Sequence, residues 1–196
     1  MVQNEPKVVM NDAIRRPPSK PRLDSRLEAE AAEFLLLGHL LLEGIHASKA
    51  YTRYPGFDVL AANPSAGRLC KIQVKSRWAT DYDRKFPLKQ SSDCDFVVFA
   101  ELNRGYRGYR RRKAGQAGDG RKQPRFFVFP VGKLNSQVKV TGGWSKVALA
   151  DVAGFEEYLE RWDLIRTFLK LPPVAPPKED GPGPQLRVRS RSPRPT

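Results

Sequence analysis

The chain has 196 residues, a formal net charge of +14 and 40% hydrophobic residues, which fits one globular domain with a core of ordinary size. Its two cysteines lack a C-x-x-C spacing and a nearby pair of histidines, which argues against a disulfide scaffold and against a zinc site. The longest apolar run, 34–42, is too short to span a bilayer, and the first residues lack a signal-peptide pattern, so we expect a cytoplasmic protein outside the membrane.

The positive charge is concentrated in three segments. Residues 103–125 contain nine basic residues and one acid, a net charge of +8, whereas residues 1–24 carry +2 and residues 171–196 carry +3. A nearly neutral body with basic appendages indicates a polyanionic partner, because neutralising phosphates releases counterions and thereby drives binding. A solvated basic loop without a ligand is the alternative.

Residues 1–24 have few large apolar residues and a proline cluster, and we predict a disordered arm. A helix is predicted next, with Ser25 as its cap, Glu28 completing a capping box and Gly44 at its end. Apolar residues recur along it at helical spacing, and Glu33 lies among them, where an acid requires a metal or a lysine. An ordinary charge on the flank of the helix is the alternative for Glu33.

The stretch GFDVLAANPSAGRLCKIQVKSR, which follows a predicted strand at 45–54, has the pattern of a β-hairpin. Its predicted strands are 57–62 and 68–76, and the turn between them, 63–67, is rich in turn-forming residues. Asp58 lies at the start of the first of these strands, and Gln73 and Lys75 lie near the end of the second.

Three polar residues of this hairpin are predicted to converge at one of its ends. Alternation along a strand places Gln73 and Lys75 on one face, and the hairpin brings Asp58 to the same end. Carboxylate and amide oxygens are ligands for a hard divalent cation, and a lysine beside them can orient the water that such a cation activates. The hairpin therefore predicts a metal site.

This order of an acid, a variable gap, then Gln, any residue and Lys resembles the PD-(D/E)xK nuclease superfamily, especially single-domain members with Gln at the third position, such as homing-type endonucleases. The upstream helix resembles the one that precedes the sheet in these nucleases, and its extra acid maps onto Glu33.

The resemblance implies four catalytic residues: Glu33, Asp58, Gln73 and Lys75. It also implies a Mg²⁺ or Mn²⁺ ion held by Asp58, the Gln73 side-chain oxygen, the Val74 backbone carbonyl and, directly or through water, Glu33. In such a site Lys75 orients the attacking water or helps to deprotonate it. Because Gln73 replaces a carboxylate, weaker metal binding is expected.

The segments after the hairpin predict further strands and a basic insert. Residues 77–94 are predicted to form a short strand and a loop beside the site, and 95–102 and 126–131 to form neighbouring buried strands. The insert between them, 103–125, combines arginines suited to phosphates with tyrosines that can stack on exposed bases. A long hairpin excursion kept in solution by its charge is the alternative. The predicted nucleic-acid contacts are Arg104, Tyr106, Arg107, Tyr109, Arg110, Arg111, Arg112, Lys113, Arg121 and Lys122.

The last part of the chain predicts a second hairpin, from 137–140 and 144–149, followed by a helix capped by Asp151. The proline-rich basic segment 171–196 is predicted to be a disordered tail. The predicted helix has an apolar stripe through Phe155, Tyr158, Leu159, Trp162, Ile165 and Leu169.

Residues 25–170 thus predict one α/β domain with a mixed central β-sheet flanked by helices, like the restriction-endonuclease core. The predicted function is a metal-dependent nuclease that hydrolyses phosphodiester bonds, with DNA as the expected substrate. The rival is a non-catalytic nucleic-acid-binding module on the same fold, and the sequence leaves open whether the chain forms a homodimer.

Overall fold

The computed structural model describes residues 24–51, 56–89, 93–106, 118–141 and 143–173. The predicted arm and tail fall almost wholly outside these ranges, as does the centre of the basic insert. In chain order the helices and strands are α1 (Ser25–Leu42), β1 (His46–Lys49), β2 (Val59–Asn63), β3 (Arg68–Arg77), β4 (Lys85–Pro87), β5 (Phe96–Glu101), β6 (Arg125–Pro130), α2 (Val131–Asn135), β7 (Lys139–Thr141), β8 (Trp144–Ala148) and α3 (Trp162–Phe168).

Five strands form the central sheet, in the order β1-β2-β3-β5-β6. Strands β3 and β5 are parallel, and the other neighbouring pairs are antiparallel. All six residues of β5 are buried, as the apolar run of its sequence predicts for a strand covered on both faces. The predicted α/β class with a mixed central sheet is confirmed.

The two faces of the central sheet are covered by different layers. Helices α1 and α3 pack on one face, where Leu36 and Ile165 belong to the same buried cluster as Val74. A second sheet, of order β4-β8-β7, packs on the other face, and its Phe86 stacks on Phe99 of β5 with ring centroids 4.4 Å apart. The short helix α2 also lies on this second face, where its Leu134 belongs to the same buried cluster as Phe86. In the described ranges no helix is long and apolar enough to cross a membrane.

The predicted central hairpin is confirmed by the antiparallel pairing of β2 with β3. A short 3-10 turn, Pro64–Ala66, joins the strands, and the Asn63 side-chain oxygen accepts a hydrogen bond from the Ala66 N–H at 3.3 Å. Gly67 then takes a left-handed φ of 59°, which a residue without a side chain adopts with little strain. The turn residues of the sequence therefore produce the turn that they predict.

The start of α1 differs from the predicted capping box. Asp24, rather than Ser25, caps the helix, because its carboxylate accepts the Arg26 N–H at 2.8 Å. Glu28 does not cap the helix: its side chain is buried, and its carboxylate accepts the hydroxyl of Ser76 at 3.3 Å. The acid predicted to cap α1 instead links α1 to β3.

Two predicted strands differ in extent or place. β1 covers only His46–Lys49 of the predicted strand 45–54, whose last residues lie outside the described ranges. The second predicted hairpin forms from β7 and β8, but it belongs to the smaller sheet, where β8 also pairs with β4.

The predicted last helix is wrong over its first half. Asp151 ends a short 3-10 turn, another such turn spans Phe155–Tyr158, and the helix α3 begins only at Trp162. Between the turn and α3 the chain passes the edge of β6, where the Glu160 N–H donates to the Phe126 carbonyl at 2.8 Å. The first three residues of the apolar stripe therefore pack on the second-sheet side and the last three pack on the α1 side.

Asn63 should be more important for stability than its place in a turn indicates, because it also holds the end of α3. Its side-chain amide donates to the Leu169 carbonyl at 2.9 Å in a buried setting. We expect Asn63→Asp to lower the free energy of unfolding by about 2 kcal/mol, since an ionised carboxylate keeps the turn contact but loses this donor. Urea denaturation measures the loss. As the control, Ser65→Asp adds the same charge to the exposed part of the turn, and an equal loss there would contradict the assignment.

Candidate metal and nucleic-acid site

Asp58 lies where β2 and β3 part. Its backbone N–H donates to the Ile72 carbonyl at 2.9 Å, and its own carbonyl accepts the Ala50 N–H at 2.9 Å, so β1, β2 and β3 all hold it. Its side-chain Oδ2 accepts the Val74 N–H at 2.7 Å. The carboxylate therefore takes a backbone donor that no longer faces a strand, and this contact fixes its position.

The backbone carbonyl of Val74 points toward the same edge as this carboxylate. Carbonyls of a strand alternate in direction, and that of Lys71 in β3 accepts from Asp95, on the β5 side. The Ile72 carbonyl accepts from Asp58, on the β2 side. Val74 follows Ile72 by two residues, so its carbonyl also faces the β2 side, beyond the end of that strand.

Gln73 lies in β3 between Ile72, whose carbonyl accepts the Asp58 N–H, and Val74, whose N–H donates to the Asp58 carboxylate. The Gln73 side-chain oxygen Oε1 is buried and accepts no hydrogen bond from the residues that the structure describes. An unsatisfied buried acceptor costs about 1–3 kcal/mol, so this oxygen requires a partner that the described residues do not supply. A hard divalent cation is a suitable partner, because it prefers oxygen ligands.

Lys75 shares the face of Gln73, because the two residues lie two positions apart in β3. Its charge and that of Asp58 both act on the thiol of Cys94. Burial is the main cause that raises the pKa of Cys94 to about 11; the negative charge of Asp58 raises it further, and the positive charge of Lys75 lowers it. Asp58 and Lys75 therefore both lie within electrostatic range of this thiol.

Glu33 approaches this group from α1, but it has a partner that the sequence analysis missed. The Lys49 ammonium lies 3.0 Å from the Glu33 Oε2 and also pairs with Glu30. The Lys49 side chain is only 8% exposed and lies over the ring of Phe34, 5.0 Å from its centroid. Burial alone would lower the pKa of Lys49, but its hydrogen bonds to the two glutamates outweigh burial and leave the pKa raised.

The protonation of Glu33 reports its surroundings. Burial raises the pKa of Glu33, the hydrogen bond from Lys49 lowers it, and the negative charge of Asp58 raises it again, with a net upward shift. The influence of Asp58 shows that the two carboxylates are near enough to repel each other. A cation between them would relieve this repulsion.

The site offers few charged ligands. Among the described residues no group of three or more His, Cys, Asp and Glu side chains is arranged to hold a metal ion. The available donors are the carboxylates of Asp58 and Glu33, the Gln73 amide oxygen and the Val74 carbonyl. Such a set of oxygen donors suits Mg²⁺ or Mn²⁺ better than zinc, which is usually bound by Cys and His.

The described part of the basic insert is a paired ribbon. Arg104 and Arg121 form an antiparallel bridge, and the Tyr106 N–H donates to the Asp119 carbonyl at 3.1 Å. Thr80, five residues after Lys75, holds the base of this ribbon through the Gly105 and Gly120 carbonyls. The ribbon thus rises from the end of β3 that carries the candidate metal site.

The predicted nucleic-acid contacts divide between described and undescribed residues. Arg104, Arg121 and Lys122 are exposed on the ribbon. The ring of Tyr106 lies over Gly120, where an added Cβ would be 2.6 Å from the ring, so only the other face of Tyr106 is available for a base. The remaining predicted contacts, Arg107, Tyr109, Arg110, Arg111, Arg112 and Lys113, lie outside the described residues.

No protein-family model matches the chain, and no curated protein matches it. Among solved structures, a bacterial homing endonuclease is similar over 74% of this chain and 93% of its own, with 20% identity and a TM-score of 0.48. A Holliday junction resolvase from the archaeal hyperthermophile Archaeoglobus fulgidus is similar over 61% of this chain and 89% of its own, with 20% identity and a TM-score of 0.33. Likenesses of this degree carry no argument about function, which has to rest on the site itself.

The pKa of Glu33 should respond in opposite directions to its two neighbours. We expect Lys49→Met to raise it, because a hydrogen-bond donor and a positive charge are lost, and Asp58→Asn to lower it, because a negative charge is lost. NMR titration of ¹³C-labelled glutamate carboxyls measures both shifts. Lys71→Met is the matched control, since Lys71 is a lysine of the same hairpin that pairs with Asp93 and not with Glu33.

The sign of the linked stability change follows from the raised pKa. The native state binds the Glu33 proton more tightly than the unfolded chain does, so this contribution to stability is fully present below pH 4.5, the ordinary pKa. It is lost as the pH rises through the folded pKa. If neither Lys49→Met nor Asp58→Asn changed the pKa of Glu33, the result would contradict the geometry described for the site.

Proposed function

We propose that this chain is a nuclease that hydrolyses phosphodiester bonds with the help of Mg²⁺ or Mn²⁺ and acts on DNA. The observation that carries the proposal is the buried Gln73 oxygen, which has no hydrogen-bond partner among the described residues, next in the strand to Val74, whose N–H fixes the Asp58 carboxylate in place. An orphaned oxygen beside a fixed carboxylate is a costly arrangement in a chain that binds no cation.

The donors present fit a divalent cation. Asp58 and the Gln73 oxygen would hold it, with the Val74 carbonyl as a third donor and Glu33 as a direct or water-mediated one. When bound, such a cation stabilises the negative charge that develops on the phosphate and promotes loss of a proton from water. The same four residues are the ones that the sequence resemblance implied.

The residues of the chain have distinct tasks around the reacting phosphate. The Lys75 ammonium, on the face of Gln73, orients the attacking water by donating a hydrogen bond and lowers the cost of negative charge beside it. The Val74 N–H holds one Asp58 oxygen, Oδ2, so that the carboxylate cannot turn away from the site. Lys49 keeps Glu33 ionised and restrained near Asp58.

The DNA assignment rests on charge. The insert has a net charge of +8, its ribbon rises from the end of β3 that carries the site, and three of its basic side chains are exposed there. Arginines on a ribbon suit the regularly spaced phosphates of a nucleic acid.

Cleavage assays test the chemistry. With supercoiled, linear, branched and single-stranded DNA, we expect Mg²⁺- or Mn²⁺-dependent cleavage that Asp58→Ala and Lys75→Ala reduce by roughly 10²-fold or more, with DNA affinity largely kept. Equal residual cleavage in both variants would indicate a contaminating nuclease. Wild-type protein that binds DNA and cuts none of these substrates with either metal would favour the non-catalytic binding module.

Substitutions of Gln73 separate its metal role from a packing role. Gln73→Glu adds a negatively charged oxygen, so we expect half-maximal cleavage at a lower metal concentration and, without metal, a less stable protein. Gln73→Leu has a similar shape and no oxygen; it should abolish cleavage and leave the metal-free protein as stable as the wild type or more so. Full cleavage by Gln73→Leu would remove Gln73 from the metal site.

Salt dependence tests the insert. If its cations meet phosphates, the logarithm of the DNA affinity should fall with the logarithm of salt concentration by roughly 0.9 per phosphate neutralised. Replacing Arg110, Arg111, Arg112 and Lys113 together by Gln should flatten this slope by up to about four phosphate equivalents, with little change in fold stability. The matched control is a fourfold replacement in the tail, at Arg187, Arg189, Arg191 and Arg194. A slope that only the tail variant changes would place the binding surface on the tail.

A further inference from the structure

The outward side of α1 presents large apolar side chains that are well exposed. Five of them are exposed by 42% to 87% of their surface, with Leu42 at the upper limit. They recur along the helix at spacings of one, seven and eight residues, so they form one strip of surface on the same side of it. They are Leu27, Phe34, Leu35, Leu41 and Leu42.

This strip of five side chains is the α1 face. No charged residue interrupts its C-terminal half. Residues 34–42 contain no Asp, Glu, Lys or Arg. The one titratable residue, His39, is turned inward and stacks on Trp162, with ring centroids 5.3 Å apart. Apolar patches of this kind are rare on monomeric proteins, so the α1 face is expected to be covered.

Gly38 lies at the centre of the α1 face. Its neighbours on the helix surface, three and four residues before and after it, are four of the five exposed apolar residues. Gly38 is not among the glycines of positive φ, and a Cβ built on it meets no atom within 4 Å. Glycine weakens a helix interior relative to alanine, and nothing among the described residues requires it here.

We propose that the α1 face binds the α1 face of a second copy of this chain, with the two helices crossing at Gly38. The missing side chain leaves a hole bordered by apolar residues, and a helix of the second copy can approach closely there. Two copies related by a two-fold axis present to each other the same gap at Gly38 and the same apolar residues around it, so the surface is complementary to itself.

The available area fits this occupant. The five exposed side chains offer roughly 500 Å² of apolar surface per copy, or roughly 1,000 Å² for a pair, which reaches the lower limit of a specific interface. Tyr51, 79% exposed beside the Lys49 that contacts Phe34, extends the surface. The tail is a poorer occupant, because residues 174–196 contain only three large apolar residues among many prolines and charges.

Sedimentation velocity of the full chain tests the proposal. From roughly 1 to 100 μM, wild-type protein should pass from monomer to dimer, and Leu42→Glu should weaken dimerisation by roughly tenfold or more, because a charge enters the apolar interface one turn from Gly38. Leu42 is too exposed for this change to impair folding. Leu69→Glu is the control, since Leu69 is 61% exposed on β3 and lies outside the α1 face.

Gly38 gives an independent measurement. Gly38→Leu should raise the dimer dissociation constant by a similar factor while the unfolding midpoint of the dilute monomer rises or stays unchanged, because a Cβ here has no described atom within 4 Å and leucine favours a helix more than glycine does. A role of Gly38 within the monomer would instead lower the midpoint. Wild-type protein that stays monomeric at all concentrations, or a dimer that both Leu42→Glu and Gly38→Leu leave unchanged, would overturn the proposal.

Discussion

The hydrogen bond from the Val74 N–H to the Asp58 carboxylate determines the arrangement of the candidate site. The two strands of the hairpin part at this point, and a backbone donor and a backbone acceptor of β3 lose their strand partner. A short acid at position 58 supplies the acceptor for the donor. The carbonyl of Val74 remains, and it lies on the same side as the carboxylate. The end of strand pairing thus positions the Asp58 carboxylate through a backbone contact rather than through a special loop.

The electrostatic balance of the site follows from having two carboxylates and one amide. A third carboxylate at position 73 would bind a cation more strongly, but it would add to the repulsion that already raises the pKa of Glu33. Gln73 avoids that cost, and Lys49 supplies an internal positive charge next to Glu33. The chain can therefore fold with a weakly charged site, whose affinity for a cation is correspondingly lower.

The sequence predicted the parts of the structure that depend on local chemistry. The hairpin was predictable because Asn63, Pro64 and Gly67 each favour the conformation that the turn requires, and the strands alternate around it. The start of the last helix was not predictable, because the apolar periodicity of the sequence continues through a break in the helix. At Glu160 the chain passes the edge of the sheet, and the apolar residues before and after this point pack in two separate clusters. Lys49 was missed because a lysine in a short strand ordinarily points to solvent, and only the packing of α1 on β1 buries it.

Helix α1 connects the core, the site and the α1 face, because consecutive residues of a helix point about 100° apart. Ala32 is buried in the core, Glu33 is held by Lys49 beside Asp58, and Phe34 is exposed on the outward side. The ring of Phe34 nevertheless contacts the ammonium that restrains Glu33. A partner that covers Phe34 would further bury this ammonium and strengthen its pairing with Glu33. Lys49 therefore contacts both Phe34 of the α1 face and Glu33 of the candidate site, so covering the α1 face would change the electrostatic surroundings of Glu33.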